Sequence, residues 1–158
     1  MTPATLHSNT AFSAPRSACS GDYGPMLAIW ERAVRATHRF LSETDILNLR
    51  AEIPTYFDQV ELWIVDVANR PVAFMGMDGQ HIAMLFVDPP WHRIGIGSAL
   101  ITFALQQYGL PLTVDVNEQN PAAYAFYLCQ GFRELGRSPL DDQGRPFPLL
   151  HLRRESAS

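Results

Sequence analysis

The sequence predicts a mixed α/β fold with its elements in the order β-α-α-β-β-β-α-β-α-β-β. Three observations carry this. Apolar residues at helical spacing alternate along the chain with short apolar or β-branched runs too brief for helices. The run from His81 to Val87 stops at Pro89-Pro90, and a basic, glycine-bearing loop then opens into an amphipathic stretch over residues 98–108. Residues 120–132 carry their own start and stop signals: Asn120 is a good N-cap, Pro121 suits the first helical position and Gly131 suits the residue past the end.

Each element has a local reason. Residues 11–16 read as a short strand that Pro15, lacking an N–H, confines to a sheet edge. Residues 22–37 read as a helix with Leu27, Trp30, Ala33 and Val34 on one stripe. Ser42 caps a second helix, with Asp45 at the capping-box position and Ile46, Leu49 and Ile53 facing inward; it loosens at Pro54. Residues 61–67 and 71–77 read as strands joined by a turn at Asn69-Arg70. Asp78-Gly79 is a hairpin signal, and it makes residues 81–87 a central strand. Residues 97–108 form a helix, 112–116 a β-branched strand and 120–130 the last helix. Residues 132–138 and 147–152 form a terminal hairpin around Asp141-Asp142-Gln143-Gly144.

At 158 residues the chain predicts one domain, residues 11–158, behind a flexible extension of residues 1–10 rich in Ser, Ala, Thr and Pro. A net charge of −4 argues against a nucleic-acid partner. No long uncharged apolar run predicts a membrane span, and the N-terminal residues lack the pattern of a signal peptide. Cys19 and Cys129 stand in unlike settings, which predicts free thiols and a cytoplasmic protein. Oligomeric state is not legible.

The stretch Val87-Asp88-Pro89-Pro90-Trp91-His92-Arg93-Ile94-Gly95-Ile96-Gly97-Ser98 puts a strand, a glycine loop and a helix N-terminus in succession. The first helical N–H groups have no partner and the helix dipole favours negative charge there, so the stretch predicts a phosphate site. Gly95 and Gly97 leave room for a phosphate to touch backbone, and His92 and Arg93 add donors. A dinucleotide fingerprint would need a third small residue where Leu100 stands, and a P-loop would need a Lys the loop lacks. By itself Gly-x-Gly is also compatible with a plain strand–helix turn.

Taken with the second motif, the loop resembles the GNAT superfamily of acetyl-CoA-dependent N-acetyltransferases. The family's Gln/Arg-x-x-Gly-x-Gly/Ala is matched by His92-Arg93-Ile94-Gly95-Ile96-Gly97. Its later Asn-x-x-Ala-x-x-Phe-Tyr-x-x-x-Gly-Phe is matched by Asn120, Ala123, Phe126, Tyr127, Gly131 and Phe132. Ile29-Trp30, Ala36-Thr37-His38, Gly79-Gln80-His81, residues 116–120 and residues 144–150 further resemble the small bacterial YjaB-type acetyltransferases, over nearly the whole chain from about Gly21. Two departures stand out: His92 replaces the usual Gln or Arg, and Phe147 stands where the YjaB-type pattern tends to show Tyr.

The resemblance implies a GNAT fold, a mostly antiparallel twisted sheet of about seven strands flanked by four helices. It implies direct transfer of acetyl from acetyl-CoA to a primary amine, on a protein lysine or a small molecule, with no metal. A non-catalytic acetyl-CoA-binding sensor is the alternative. Leu85, Phe86 and Val87 would offer main-chain groups to the pantetheine amides. His92, Arg93, Gly95, Ile96, Gly97 and Ser98 would meet the pyrophosphate, and Asn120, Ala123 and Tyr127 would line the pantetheine arm.

The chemistry sets its own demands. A lysine-type amine with a pKa near 10.4 is neutral in only about one molecule in 2,500 at pH 7, so a base is needed. The leaving thiolate needs a proton donor. Tyr127 matches the family tyrosine for that second task; the alternative is a helix residue packed on the sheet. His81 stands about where many relatives place a glutamate, and an ordinary imidazole, titrating near 6.5, suits a base; the alternative is a histidine that merely starts a strand. A water held by His81 or an acidic residue is the other choice for the base: Asp115 points opposite to Val114 and Val116 and is either a candidate for it or a solvated charge, and Asn117 and Glu118 at the strand end are weaker candidates. For the acceptor, Trp30, His38, Phe40 and Asn117 are the candidates, although aromatic sets of this kind also serve as core.

Overall fold

The computed structural model describes residues 11–156. The extension expected at residues 1–10 lies outside the described residues. The strands are β1 (Arg16–Ser17), β2 (Glu61–Val67), β3 (Arg70–Asp78), β4 (His81–Val87), β5 (Leu112–Asn117), β6 (Arg133–Ser138) and β7 (Leu149–Arg154). The helices are α1 (Tyr23–Thr37), α2 (Glu43–Phe57), α3 (Ile96–Tyr108) and α4 (Pro121–Cys129). One seven-stranded sheet has the order β1-β2-β3-β4-β5-β7-β6. All neighbours are antiparallel except β4 and β5.

The expected element order holds, with four local corrections. The edge strand is Arg16–Ser17 rather than residues 11–16, because pairing with β2 begins only at Arg16 opposite Ile64. Ahead of Pro15, Ser13 still bonds Asp66 through both its N–H and its hydroxyl, without a ladder. α2 does not loosen at Pro54. It runs on to Phe57, which is buried and packs edge-on against Phe74 at 5.6 Å, so tertiary packing holds the turn that lacks the proline N–H. The turn between β2 and β3 is Ala68-Asn69, both at positive φ (50° and 64°), so β3 starts at Arg70. The last strand begins at Leu149 rather than Phe147. The start of α2 is as expected: Ser42 Oγ accepts from the Asp45 N–H at 3.0 Å, and the Asp45 carboxylate accepts from the Ser42 N–H at 3.0 Å.

Two apolar layers sandwich the sheet. On one face α1 and α2 bury Met26, Ile29, Trp30, Val34, Ile53 and Phe57 against Ile64, Phe74 and Met84. On the other, Ile96, Leu100, Ile101 and Ala104 of α3 and Tyr127 of α4 pack on Val65, Met75, Ile82, Val114, Val116 and Leu152. The alternation along β4 is broken once. Gly76 faces Met84 but Met77 faces Ile82, which leaves Ala83 as an extra residue. The bulge shifts the strand by one, so Met84 joins the α1/α2 layer although Ile82 belongs to the α3/α4 layer.

α1 is pinned to the end of β4 by Arg32, whose guanidinium grips the buried Asp88 carboxylate at 2.8 and 3.0 Å. Arginine alone supplies the long cations: all twelve Lys or Arg positions of the chain are arginine. Several act through two-pronged contacts, such as Arg35 on Glu43 and Arg137 on Glu118.

Candidate active site

β4 and β5 part almost as soon as they pair. Their register holds only at His81 opposite Thr113 and Ile82 opposite Val114. Beyond that point β4 stays bonded to β3 through Val87, while its other edge, Leu85 to Val87, faces a cleft. Two cavities open there and share Phe86 and His38 in their walls.

The first cavity, about 440 Å3, is bounded by Leu85 to Val87, by Trp91 to Arg93, by Gly95 to Ser98 and by Asn120, Ala123, Phe126 and Tyr127. It therefore brings together every residue expected to meet the cofactor. At the start of α3 the first intrahelical bond runs from the Ala99 N–H to the Gly95 carbonyl at 3.0 Å, so the N–H groups of Ile96, Gly97 and Ser98 precede the helical ladder. Gly95 takes φ +95° with open space around its missing Cβ, so its requirement is conformational. Gly97 differs from the expectation. A Cβ there would lie 3.0 Å from Phe126 Cζ, so the glycine admits an aromatic ring of α4 rather than simply clearing space for a phosphate. His92 also differs. Its Nε2 lies 2.8 Å from the Val87 carbonyl, which can only accept, so Nε2 carries the proton and Nδ1 alone is left for a ligand. Ser98 Oγ accepts from the Gln130 amide at 2.9 Å. Asn120 accepts from the Ala123 N–H with its side-chain oxygen at 3.2 Å, which is the expected N-cap.

Tyr127 is 6% exposed and lies against Phe126 and Phe132, with ring centroids at 5.0 and 5.3 Å. Burial alone pushes its phenol well above the ordinary tyrosine range. The hydroxyl therefore stays protonated and is suited to donating a hydrogen bond.

The second cavity is larger, about 680 Å3, and lies on the α1/α2 side of the cleft. Trp30, His38, Phe40 and Asn117, the four acceptor candidates, all line it, as does His81. His38, Phe40 and Phe147 stack in series at 5.4 Å each. The large apolar side chains of β2 and β3 do not line it: Phe74 and Met75 are core, and Trp63 packs on Phe103. The histidine at the junction is well defined. The Thr37 hydroxyl donates to the Ala33 carbonyl at 2.8 Å, so its oxygen accepts from His38 Nδ1–H at 2.8 Å. Burial lowers His38 to about 4, so the ring is neutral at neutral pH with Nε2 as a lone pair.

Two features of this cavity were not legible in the sequence. One is its outer wall, the loop between β6 and β7, read there as a plain turn. Arg145 reaches Glu52 of α2 at 3.3 Å and Gln143 meets the Tyr56 hydroxyl, which ties the loop over the cavity. The other is that Asp115 lines the cavity and is shared by two histidines, His81 and His151. Only the alternation of Asp115 with Val114 and Val116 hinted at its direction.

The sequence signature of the GNAT acetyltransferase domain matches residues 31–148. The chain belongs to the GNAT acetyltransferases. It is an N-acetyltransferase that moves an acetyl group to an amine. The chain is 42% identical over 128 residues to the peptidyl-lysine N-acetyltransferase YjaB of Escherichia coli K12, covering 80% of this chain and 86% of that protein. The solution structure of apo YjaB from Escherichia coli superposes with a TM-score of 0.85 at 38% identity, over 93% of this chain and 99% of that one. The PaiA N-acetyltransferase of Thermoplasma acidophilum, solved with coenzyme A, shares the fold at a TM-score of 0.71 and 13% identity, over 92% of this chain and 99% of that one.

Two outcomes follow from this geometry. Gly97→Ala drives a methyl into the Phe126 ring and lowers stability by about 1–3 kcal/mol. Phe126→Leu in the same chain recovers part of that loss in urea unfolding, and simple additivity of the two changes contradicts the contact. For His38, folding requires the neutral ring, whereas the unfolded chain takes up a proton below about 6.5. Its contribution is complete above pH 6.5 and is lost as pH falls towards about 4. Up to roughly 3 kcal/mol disappears across that window. His38→Gln flattens this part of the stability–pH curve, and an unchanged slope refutes the assignment.

Proposed function

We propose that the protein acetylates the side-chain amine of a protein lysine, drawing acetyl from acetyl-CoA bound in the 440 Å3 cavity. The observation that carries this reading is the meeting of the two cavities at the parting of β4 and β5. One offers unpaired helix N–H groups and strand-edge amides. The other offers a base and carboxylates. The relatives from Escherichia coli and Salmonella typhimurium named as peptidyl-lysine N-acetyltransferases, each 42% identical, support lysine as the acceptor. So does the charge of the second cavity. Asp78, Asp115, Asp141 and Asp142 line it against Arg145, which Glu52 and Asp141 already engage, while His38 is neutral. Such a lining draws in an ammonium and disfavours an anion.

In this reading the N–H groups of Ile96, Gly97 and Ser98, with Arg93, hold the pyrophosphate at the positive end of α3. The free edge of Leu85 to Val87 pairs with the pantetheine amides and fixes the thioester at the cleft. His81 takes a proton from the acceptor ammonium. The neutral amine attacks the thioester carbonyl, a strand-edge N–H steadies the oxyanion, and the C–S bond breaks as the C–N bond is completed. Tyr127 donates its O–H to the departing sulfur. Because burial disfavours a phenolate, that hydrogen bond is the larger part of its contribution. The second nitrogen proton passes to the sulfur in the same collapse, and the products are the amide and free coenzyme A.

Tyr127→Phe keeps the ring and removes the donor. It should leave acetyl-CoA affinity by calorimetry within a few-fold of wild type and lower kcat by about 10²-fold. An unchanged kcat with chemistry rate-limiting makes Tyr127 a packing residue only. His81→Gln should lower kcat/KM by about 10²-fold at neutral pH, with the deficit shrinking as pH rises towards the amine's own pKa. A deficit constant to pH 9.5 assigns His81 a structural role.

A further inference from the structure

Beyond the base and the tyrosine, a third group faces the reacting amine. His81 on β4, Thr113 and Asp115 on β5, and His151 on β7 lie on one face of three adjacent strands. Thr113 is the register partner of His81, and His151 is that of Asp115. The contacts run in one line. His81 Nδ1 lies 2.7 Å from Thr113 Oγ1. His81 Nε2 lies 3.7 Å from Asp115 Oδ2. Asp115 Oδ1 lies 2.7 Å from His151 Nδ1, and His151 Nε2 lies 2.6 Å from Ser138 Oγ.

Hydrogen-bond roles follow from what each atom is able to do. A carboxylate only accepts, so His151 Nδ1 carries the proton and fixes Oδ1. The second oxygen, Oδ2, is left towards His81. At 3.7 Å no hydrogen bond joins it to Nε2. The Thr113 hydroxyl is able to donate or accept, so the tautomer in which Nδ1–H donates to it and Nε2 is left as a lone pair belongs to the inference that follows. Two acceptors at this separation fit around one ammonium nitrogen that donates to both, at about 2.8 Å each. Both residues line the cavity of the acceptor candidates.

We infer that Asp115 is a substrate-contacting catalytic residue: its Oδ2 and His81 Nε2 together seat the acceptor ammonium, the carboxylate holding it while the imidazole takes its proton. This rests on the reading of His81 as the base. The step balances simply. One N–H bond of R–NH3+ breaks, the proton forms a bond with Nε2, and the electron pair it leaves on nitrogen becomes the nucleophile. The positive charge moves from nitrogen to imidazolium and stays beside the same carboxylate throughout, so no unpaired charge is created in the cleft. His151 and Ser138 act as positioning residues that hold Asp115. The other charged or titratable groups around this cavity are Asp78 on β3, the partner of His81 across the hairpin, neutral His38 at the end of α1, Tyr56 on α2, and Asp141, Asp142 and Arg145 on the β6–β7 loop. Within ion-pair distance of His81 among the described residues stands Asp115 alone.

The test compares Asp115→Asn with His81→Gln in initial-rate assays, using acetyl-CoA and a lysine-containing peptide from pH 5 to 9.5. Asp115→Asn is expected to raise KM for the peptide about 10-fold. His81→Gln is expected to lower kcat and abolish the acid limb of kcat/KM. If His81→Gln keeps the wild-type pH profile, the base assignment itself fails. If it abolishes the limb while Asp115→Asn leaves KM for the peptide unchanged, only the present inference falls. A measurement on the unmodified protein covers the case in which Asp115→Asn does not fold. Long-range 1H–15N correlation at pH 8 must show His81 protonated on Nδ1, and a ring protonated on Nε2 overturns the shared seat.

Discussion

The site depends on how little β4 and β5 pair. Two residues of parallel register hold the strands together, and then they separate. A fully paired sheet would satisfy the edge of β4 with β5 and leave no amide for a ligand. A gap opened any earlier would detach His81, the proposed base, from Thr113. The bulge at Ala83 sits at the same point. It turns Met84 and Phe86 to the face of the larger cavity, which His81 also lines, and Ile82, Leu85 and Val87 to the other, so a single strand serves the proposed acceptor cavity and a hydrophobic core together.

α1 contributes to both cavities because it is fixed where they meet. The Arg32 grip on Asp88 ties the helix to the residue that follows β4. Its last turn carries Thr37, which aims His38 into the junction. Burying an imidazole without a charge partner costs stability in acid. What the fold gains is a wall that stays neutral at working pH, so the carboxylates on the far side keep their attraction for a cation.

Much of this was legible in the chain because it is written in local signals. Pro89-Pro90, Gly95, the Ser42–Asp45 box and the Asn120-Pro121…Gly131 punctuation each act within a few residues, and their elements stand where expected. The candidate cofactor residues were likewise clustered in two short motifs. What was not legible arises between elements. Phe57 carries α2 past a proline through a contact with Phe74 on another layer. Gly97 answers to Phe126, a residue almost thirty positions later. Asp115 reads as either a site residue or a solvated charge until the register sets His81 on one side of it and His151 on the other.

The arginine-only surface has a bearing on the chemistry that goes past ion pairing. A guanidinium holds its proton far too tightly to act as an acetyl acceptor near neutral pH. An enzyme that presented ε-amines at its own surface would compete with its client proteins each time the acetyl donor was bound. This chain has no lysine to offer. Its side chains are immune to the lysine acetylation it would perform on others, so its charge, its ion pairs and its cleft stay the same however long it works in the presence of acetyl donor.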